Sequence, residues 1–285
     1  MKNKKRRVDL VVISDVHLGT YGSHAKELLN YLRSIKTKTL ILNGDIIDMW
    51  QFKKRYWPKP HMKLIKYIIG LATKGTHVYY ITGNHDEILR KFAGVQMGKL
   101  EIVNQLELDL DGKKAWIFHG DVFDVIMQNS KWIMKLGSVG YDMLIHVNSL
   151  VNYFSRIFGR GKVSLSKRIK DNVKSAVKYI NNFEETAANL AISRGFDYIV
   201  CGHIHHPEIK QISDHKGNSI LYLNSGDWIE NLSALEYTKG NWRIYHYHND
   251  SGAESAANKH DDDAISETDM NNKELFQKMM KEFQD

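Results

Sequence analysis

A single cysteine among 285 residues leaves no internal disulfide framework and no cysteine-rich zinc module, and suits a reducing compartment. Prolines number only three, and no uninterrupted apolar run reaches the roughly 18 residues that a membrane-spanning helix needs. The basic start, Met1 to Arg7, has the charge of a secretory leader. The apolar stretch behind it, Val8 to Ile13, is too short, contains Asp9 and has no small-residue cleavage site. It reads instead as a first strand behind a solvated basic tip, and the expected location is cytoplasmic. With 42% hydrophobic and 26% charged residues, global disorder and collagen-like repetition are excluded, and the length allows one large domain or two small ones. What the chain does have is 14 histidines and a formal charge of +7. With a single thiol, a metal would have to be held by imidazole and carboxylate. The charge points to an anionic partner without separating nucleotide, nucleic acid and membrane surface.

Short β-branched runs alternate with helical patterns in the first part of the chain. Strands are predicted at Leu10–Ser14, Leu40–Asn43 and His77–Thr82, and helices near Ala25–Ile35 and Met62–Thr73, which argues for an α/β fold with a mostly parallel sheet. Leu106–Leu110 and Ala115–His119, split by Asp111-Gly112, predict a hairpin. Further strands at Tyr198–Cys201, Ile209–Ile212, Ile220–Asn224, Ala234–Tyr237 and Trp242–His248 predict a second sheet. Residues 122–195 have no strand character and read as an all-helical cap insertion in a domain spanning 1–249. Within the cap, the apolar Trp132–Phe158 is followed by seven basic residues between Arg160 and Lys178, among them Lys167, Arg168 and Lys170. Residues 250–285 hold ten acids against four bases and read as a flexible acidic tail, so the excess positive charge lies in the part before it.

Five motifs place Asp, Asn or His directly after a predicted strand: Asp15-Val-His17, Gly44-Asp45-Ile-Ile-Asp48, Gly83-Asn84-His85-Asp86, His119-Gly-Asp121 and Gly202-His203-Ile-His205. Ligands of α/β sheets bind beyond the carboxyl ends of strands, so these residues are expected to converge. Gly44, Gly83 and Gly202 allow close backbone approach. Asp15, Asp45, Asn84, His17, His119, His203 and His205 together offer too many donors for one tetrahedral ion, and suit two ions sharing a bridging carboxylate. Such pairs activate water and clamp the oxygens of a displacement at phosphorus. Gly94…Gly98-Lys99 falls short of a phosphate loop, and Cys201 reads as an inert buried thiol.

These five motifs, in this order over residues 8–248, resemble those of the calcineurin-like metallophosphoesterases. The resemblance implies a four-layer α/β/β/α sandwich of two mixed sheets. It implies one metal held by Asp15, His17, Asp45 and His205, and another by Asp45, Asn84, His119 and His203. Within the family, Asp45-Ile-Ile-Asp-Met-Trp50, the helical insertion and Asn224-Ser-Gly-Asp-Trp228 are similar to the UDP-2,3-diacylglucosamine pyrophosphohydrolases. That subgroup implies two Mn²⁺ ions, a nucleotide-diphosphate lipid as substrate, release of UMP and a lipid monophosphate in lipid A synthesis, and a peripheral position at the inner membrane. The cap then supplies apolar surface for acyl chains and, from Arg160, Lys167, Arg168 and Lys170, cations for the diphosphate or for anionic headgroups. The chain departs from the best-known members of the subgroup at His85, where they carry Arg; a His there is the general phosphoesterase form and suits protonation of a leaving oxygen or steadying of the phosphate. Asp86 beside it is grouped with it as catalytic, although the commoner part for Asp86, as for Asp48, is to orient a histidine. Trp50 is a candidate substrate contact, while Trp50 and Trp228 alike suit either core or site. The competing functions are a nuclease or other phosphodiesterase of the same family, with basic residues tracking phosphates, and a non-catalytic scaffold.

Overall fold

The computed structural model describes residues 5–51, 56–127 and 165–249. Arg6–Ile13 (β1), Ile35–Asn43 (β2), His77–Ile81 (β3) and Leu100–Val103 (β5) run parallel, with β1, β2 and β3 connected through the helices Ala25–Ser34 (α1) and Lys59–Thr73 (α2). The short strand Gln96–Met97 (β4) closes one edge of this sheet. The hairpin Ser233–Thr238 (β11) and Asn241–His246 (β12) closes the other, antiparallel to β1, giving the order β12-β11-β1-β2-β3-β5-β4. The second sheet has the order β6-β7-β8-β10-β9, from Leu106–Leu110 (β6), Lys113–Ile117 (β7), Tyr198–Cys201 (β8), Glu208–Ser213 (β9) and Ser219–Asn224 (β10). Both sheets are mixed.

Strand alternation builds the layers. On β1, Val11 and Ile13 face α1 and α2, whereas Leu10 and Val12 face the second sheet. On β7 and β8, Ala115, Ile117, Tyr198 and Val200 meet them in the middle layer. Trp116, Phe118, Ile199 and Cys201 turn outward to the helix Leu165–Ser193 (α4), against Phe183, Ala187, Ala188 and Ala191. Small alanines let this helix approach the sheet closely. The result is the expected α/β/β/α sandwich.

The structure differs from the sequence reading in four places. β11 and β12 join the first sheet, because Leu235 and Tyr237 complete the middle layer beside β1. β4 and β5 are short strands without an apolar run long enough to announce them. The basic tip is partly strand: Arg6 pairs with the buried Glu236 at 2.5 Å, which also accepts from Tyr31 at 2.8 Å. Last, α2 starts three residues early, with Pro60 in its first turn, where a missing N–H is harmless. The hairpin β6–β7 turns at Asp111 and Gly112, both with positive φ, as its sequence requires. Of the cap, the described parts are the short helix Val122–Met127 (α3) and α4. Trp132–Phe158, Arg160, the side chains of Lys167, Arg168 and Lys170, and the tail 250–285 lie outside the described residues.

Candidate metal centre

All five motifs leave the carboxyl ends of parallel strands on one edge of the sandwich: β1, β2 and β3 from one sheet, β7 and β8 from the other. The loops after β1 and β2 prolong the strand pairing. Asp15 N–H donates to Gly44 O at 3.1 Å, His17 N–H to Asp45 O at 2.9 Å and Asp48 N–H to Leu18 O at 3.0 Å. Within the second sheet Gly202 N–H donates to His119 O at 2.9 Å, and across the sandwich His203 N–H donates to Asp15 Oδ2 at 3.1 Å. Two glycines make this convergence possible. A Cβ on Gly44, whose φ is +81°, would lie 2.3 Å from the His119 ring, and one on Gly83 would lie 2.2 Å from Asp45 Oδ1.

The structure brings together Asp15, His17 and His205 in one group and Asp45, His119 and His203 in another, with the ligand atoms of each group within 4.8 Å of one another. Asp45 sits between, its Oδ2 3.2 Å from His119 Nε2 and 4.0 Å from His85 Nε2. Each ring has a partner that orients it. His119 Nδ1 lies 2.9 Å from the Asn43 carbonyl oxygen, which must accept, so Nδ1 carries a proton and Nε2 is the atom left to face Asp45. His17 Nδ1 meets Asp48 Oδ2 at 3.0 Å, and His203 Nε2 meets Asp124 Oδ2 at 2.9 Å.

Protons and charges there are far from their ordinary state. Burial works against ionisation of Asp15 and Asp45, yet the imidazoles around them, chiefly His205 for Asp15 and His119 for Asp45, hold both carboxyls low. Burial likewise opposes charge on His205, but Asp15 at 3.2 Å, with Asp227 and Asp45 behind it, raises it to about 9. His119 is raised by Asp45 and Asp15 against the same penalty. The ionised carboxylates therefore draw positive charge into the cluster, and the protons they keep on the imidazoles are the ones a divalent cation would displace.

Several ligand atoms there are also under-satisfied. His17 Nε2 and Asn84 Oδ1 are buried without a hydrogen-bond partner, and Asp15 Oδ1 and His119 Nε2 have ion-pair contacts at 3.2 Å, with His205 and Asp45, in place of well-formed hydrogen bonds. An orphaned buried polar atom costs about 1–3 kcal/mol, and divalent ions would complete these atoms. Hard oxygen and borderline imidazole donors in this number suit such ions. The residues present fit a pair of divalent metals.

The remaining candidates separate. His85 has its Nδ1 2.9 Å from Asp48 Oδ2, its ring edge-on to His17 at 4.6 Å, and Trp50 over it at 4.5 Å. Burial lowers its basicity, but Asp48, Asp45 and Asp15 together raise it overall. Asp86 does not reach the cluster: it accepts from Gly83 N–H at 2.6 Å, Tyr80 O–H at 2.6 Å and Ile46 N–H at 2.9 Å, and is fully buried beneath the loop. Its geometry is that of a strut joining the β2 and β3 loops, and it contradicts a catalytic placement. Trp50 is 59% exposed at the mouth, whereas Trp228 is wholly buried against Tyr31. Asp121 pairs with Arg90, and His206 lies 3.6 Å from Glu208. Burial raises the Cys201 thiol, as expected of an inert one. Two positioning carboxylates stand out. Asp48 holds both His17 and His85, which its place in the motif signalled. Asp124 was hidden in the stretch assigned to the cap.

Fold and site together define a class: a two-sheet sandwich with a candidate binuclear metal centre at the strand ends. Residues 8–207 match the family described as Calcineurin-like phosphoesterase. The chain is similar to the UDP-2,3-diacylglucosamine hydrolase of Blochmanniella pennsylvanica, 26% identical over 238 residues that cover 82% of this chain and 94% of that protein. The enzyme of the same name from Aliivibrio fischeri is 25% identical over 252 residues, covering 84% and 97%. Among solved structures, an archaeal phosphodiesterase aligns with 83% of this chain and 98% of its own, at 14% identity and a TM-score of 0.43. The chain belongs to the calcineurin-like phosphoesterase family and is an enzyme that hydrolyses phosphoester bonds. Among the described residues no helix is long and apolar enough to cross a membrane.

Proposed function

We propose that this enzyme hydrolyses a phosphate anhydride or diester, with UDP-2,3-diacylglucosamine as substrate and UMP and a lipid monophosphate as products, in lipid A synthesis. The convergence of Asp15, His17 and His205 with Asp45, His119 and His203, beside orphaned ligand atoms, carries the reading of the chemistry. The name shared by the relatives, over most of the chain, supports the substrate. In this reading residues 1–249 are the phosphoesterase domain, 122–195 a cap over the site and 250–285 a tail. The protein works in the cytoplasm at the inner face of the membrane.

Asp15, His17, Asp45 and His205 would hold one Mn²⁺ ion, and Asp45, Asn84, His119 and His203 the other. When bound, the ions supply activation of a water and neutralisation of phosphoryl oxygens. The chain's own residues do the rest. Asp48 fixes the Nδ1 atoms of His17 and His85, so that both rings turn Nε2 toward the cleft. His85 holds a proton at Nε2 and delivers it to the leaving oxygen. Trp50 restrains the His85 ring and walls the mouth, and Arg160, Lys167, Arg168 and Lys170 meet the diphosphate. The test is release of UMP from UDP-2,3-diacylglucosamine by the Mn²⁺-loaded protein, beside bis(p-nitrophenyl) phosphate and single-stranded DNA. UMP release is expected. Turnover of the diester or of DNA with no UMP would overturn the lipid substrate.

A further inference from the structure

The acceptor that orients His203 comes from neither sheet edge nor metal loop. It is Asp124 on α3, whose Oδ2 lies 2.9 Å from His203 Nε2 and whose Oδ1 accepts from Tyr179 O–H, on α4, at 2.6 Å. Both partners are fixed. The α3 start is pinned to the His119-Gly120-Asp121 turn, where Phe123 N–H donates to Gly120 O at 3.0 Å and Asp124 N–H to Asp121 O at 3.1 Å. One turn beyond Tyr179, on the same face of α4, Phe183 packs edge-on against Phe123 at 5.4 Å and lies 6.2 Å from the His203 ring. The fit is close enough that a Cβ on Gly120 would lie 2.7 Å from Phe183. Thus two helices clasp one histidine of the cluster through one carboxylate.

We propose that Asp124 and Tyr179 are positioning residues that fix the tautomer and angle of His203, and so set the affinity of one of the two metal ions apart from the other. An ionised carboxylate accepts only, so Asp124 keeps the proton on Nε2 and leaves Nδ1 as the donor facing Asp45 and His119. Tyr179 donates to the other oxygen and stops the carboxylate from rotating away. Asp124 and Tyr179 act on the cluster through the His203 ring, so the ion that His203 would hold feels their loss first. The inference rests on the two-metal reading above.

Titration of chelator-treated protein with Mn²⁺ by calorimetry tests both, beside nitrogen-detected NMR of the histidine rings without metal. Native protein is expected to take up two equivalents and to show His203 protonated at Nε2. In Asp124→Ala one equivalent should weaken about 10- to 100-fold while the other keeps its affinity, and His203 should lose the single tautomer. Tyr179→Phe should weaken the same equivalent by a smaller factor, and Ala191→Gly, a change in the packing of α4 on the sheet, should lower the melting temperature without separating the two affinities. Native protein that never binds two equivalents would overturn the two-metal reading. Two equivalents in native protein with unchanged affinities and tautomer in both Asp124→Ala and Tyr179→Phe would overturn the relay alone. Should Asp124→Ala not fold, Tyr179→Phe decides.

Discussion

His61, on α2, ties the site to the stability of the fold in a way that acid should expose. It is 2% exposed, its Nδ1 accepts from Gly19 N–H at 3.1 Å, and Trp57 stands edge-on to it at 5.4 Å. Burial pushes its pKa down to about 4, against about 6.5 in the unfolded chain. Between these values the unfolded chain binds a proton that the folded one refuses, so stability must fall as the pH drops from about 6.5 and level off below about 4. At about 1.4 kcal/mol per pH unit, the loss is about 3 kcal/mol. The structural consequence is local: a protonated ring has no acceptor for Gly19, and the turn that follows His17 loosens. The assay is urea unfolding of the metal-depleted protein from pH 4 to 8, beside His61→Asn, which keeps an acceptor for Gly19 but does not titrate. Other titrations are common to both proteins and cancel in the difference. The advantage of native over variant protein should shrink by about 3 kcal/mol between pH 7 and 4. A difference that stays constant across that range would refute the argument that His61 is held neutral.

Two further outcomes follow from the site geometry. In Asp48→Ala, His17 and His85 both lose the carboxylate at their Nδ1 atoms, so Mn²⁺ binding should weaken about 10- to 100-fold by calorimetry, and the melting temperature of the metal-free protein should fall as well, because the Trp50 and Gln51 N–H groups lose the same buried acceptor. In Gly83→Ala the new Cβ would fall 2.2 Å from Asp45 Oδ1 and 2.6 Å from its amide nitrogen. Backbone must move, and urea unfolding should show a loss of about 1–3 kcal/mol together with loss of metal uptake.

The site was more legible in the chain than the sheet that carries it. Asp15, Asp45, Asn84 and His203 each follow an apolar β-branched run through one or two small or polar residues, so local order alone places them at strand ends. Strand pairing is different, because it depends on partners far away. The run Ser233–Thr238 has the alternation of any half-buried strand, and nothing in it says that Leu235 and Tyr237 will lie beside β1. Glu236, which reads as the solvent face of that strand, is 1% exposed because Arg6, Tyr31 and Arg243 surround its carboxylate. Trp50 and Trp228 are identical side chains in similar polar contexts; only topology puts one over His85 and the other under Tyr31. Asp124 escaped for the same reason. Its partners, His203 and Tyr179, are 79 and 55 residues away, and no spacing rule reaches that far.

One property of the candidate ligands could be read neither from motif nor from composition, and it bears on how the site works. Asp15, His17, Asp45, His203 and His205 all have left-handed backbone, with φ between 49° and 68°. For residues with a Cβ this conformation costs about 1–2 kcal/mol each, and a run of sequence free to choose would avoid it. Five such residues amount to several kcal/mol, a large part of the roughly 5–15 kcal/mol by which a domain is stable. The strain persists because the surroundings over-determine it: the loop after β1 is bonded to the loop after β2, and the loop after β8 is bonded to His119 and Asp15. The benefit of that arrangement is order before any ion arrives. Side chains that would otherwise leave the strand ends along separate paths are turned toward one another, so a cation meets donors already converged and does not have to organise the loops. The ordering energy is supplied by the middle layer of the sandwich, in Leu10, Val12, Ile117 and Val200, which explains why the chemistry sits where the two sheets meet.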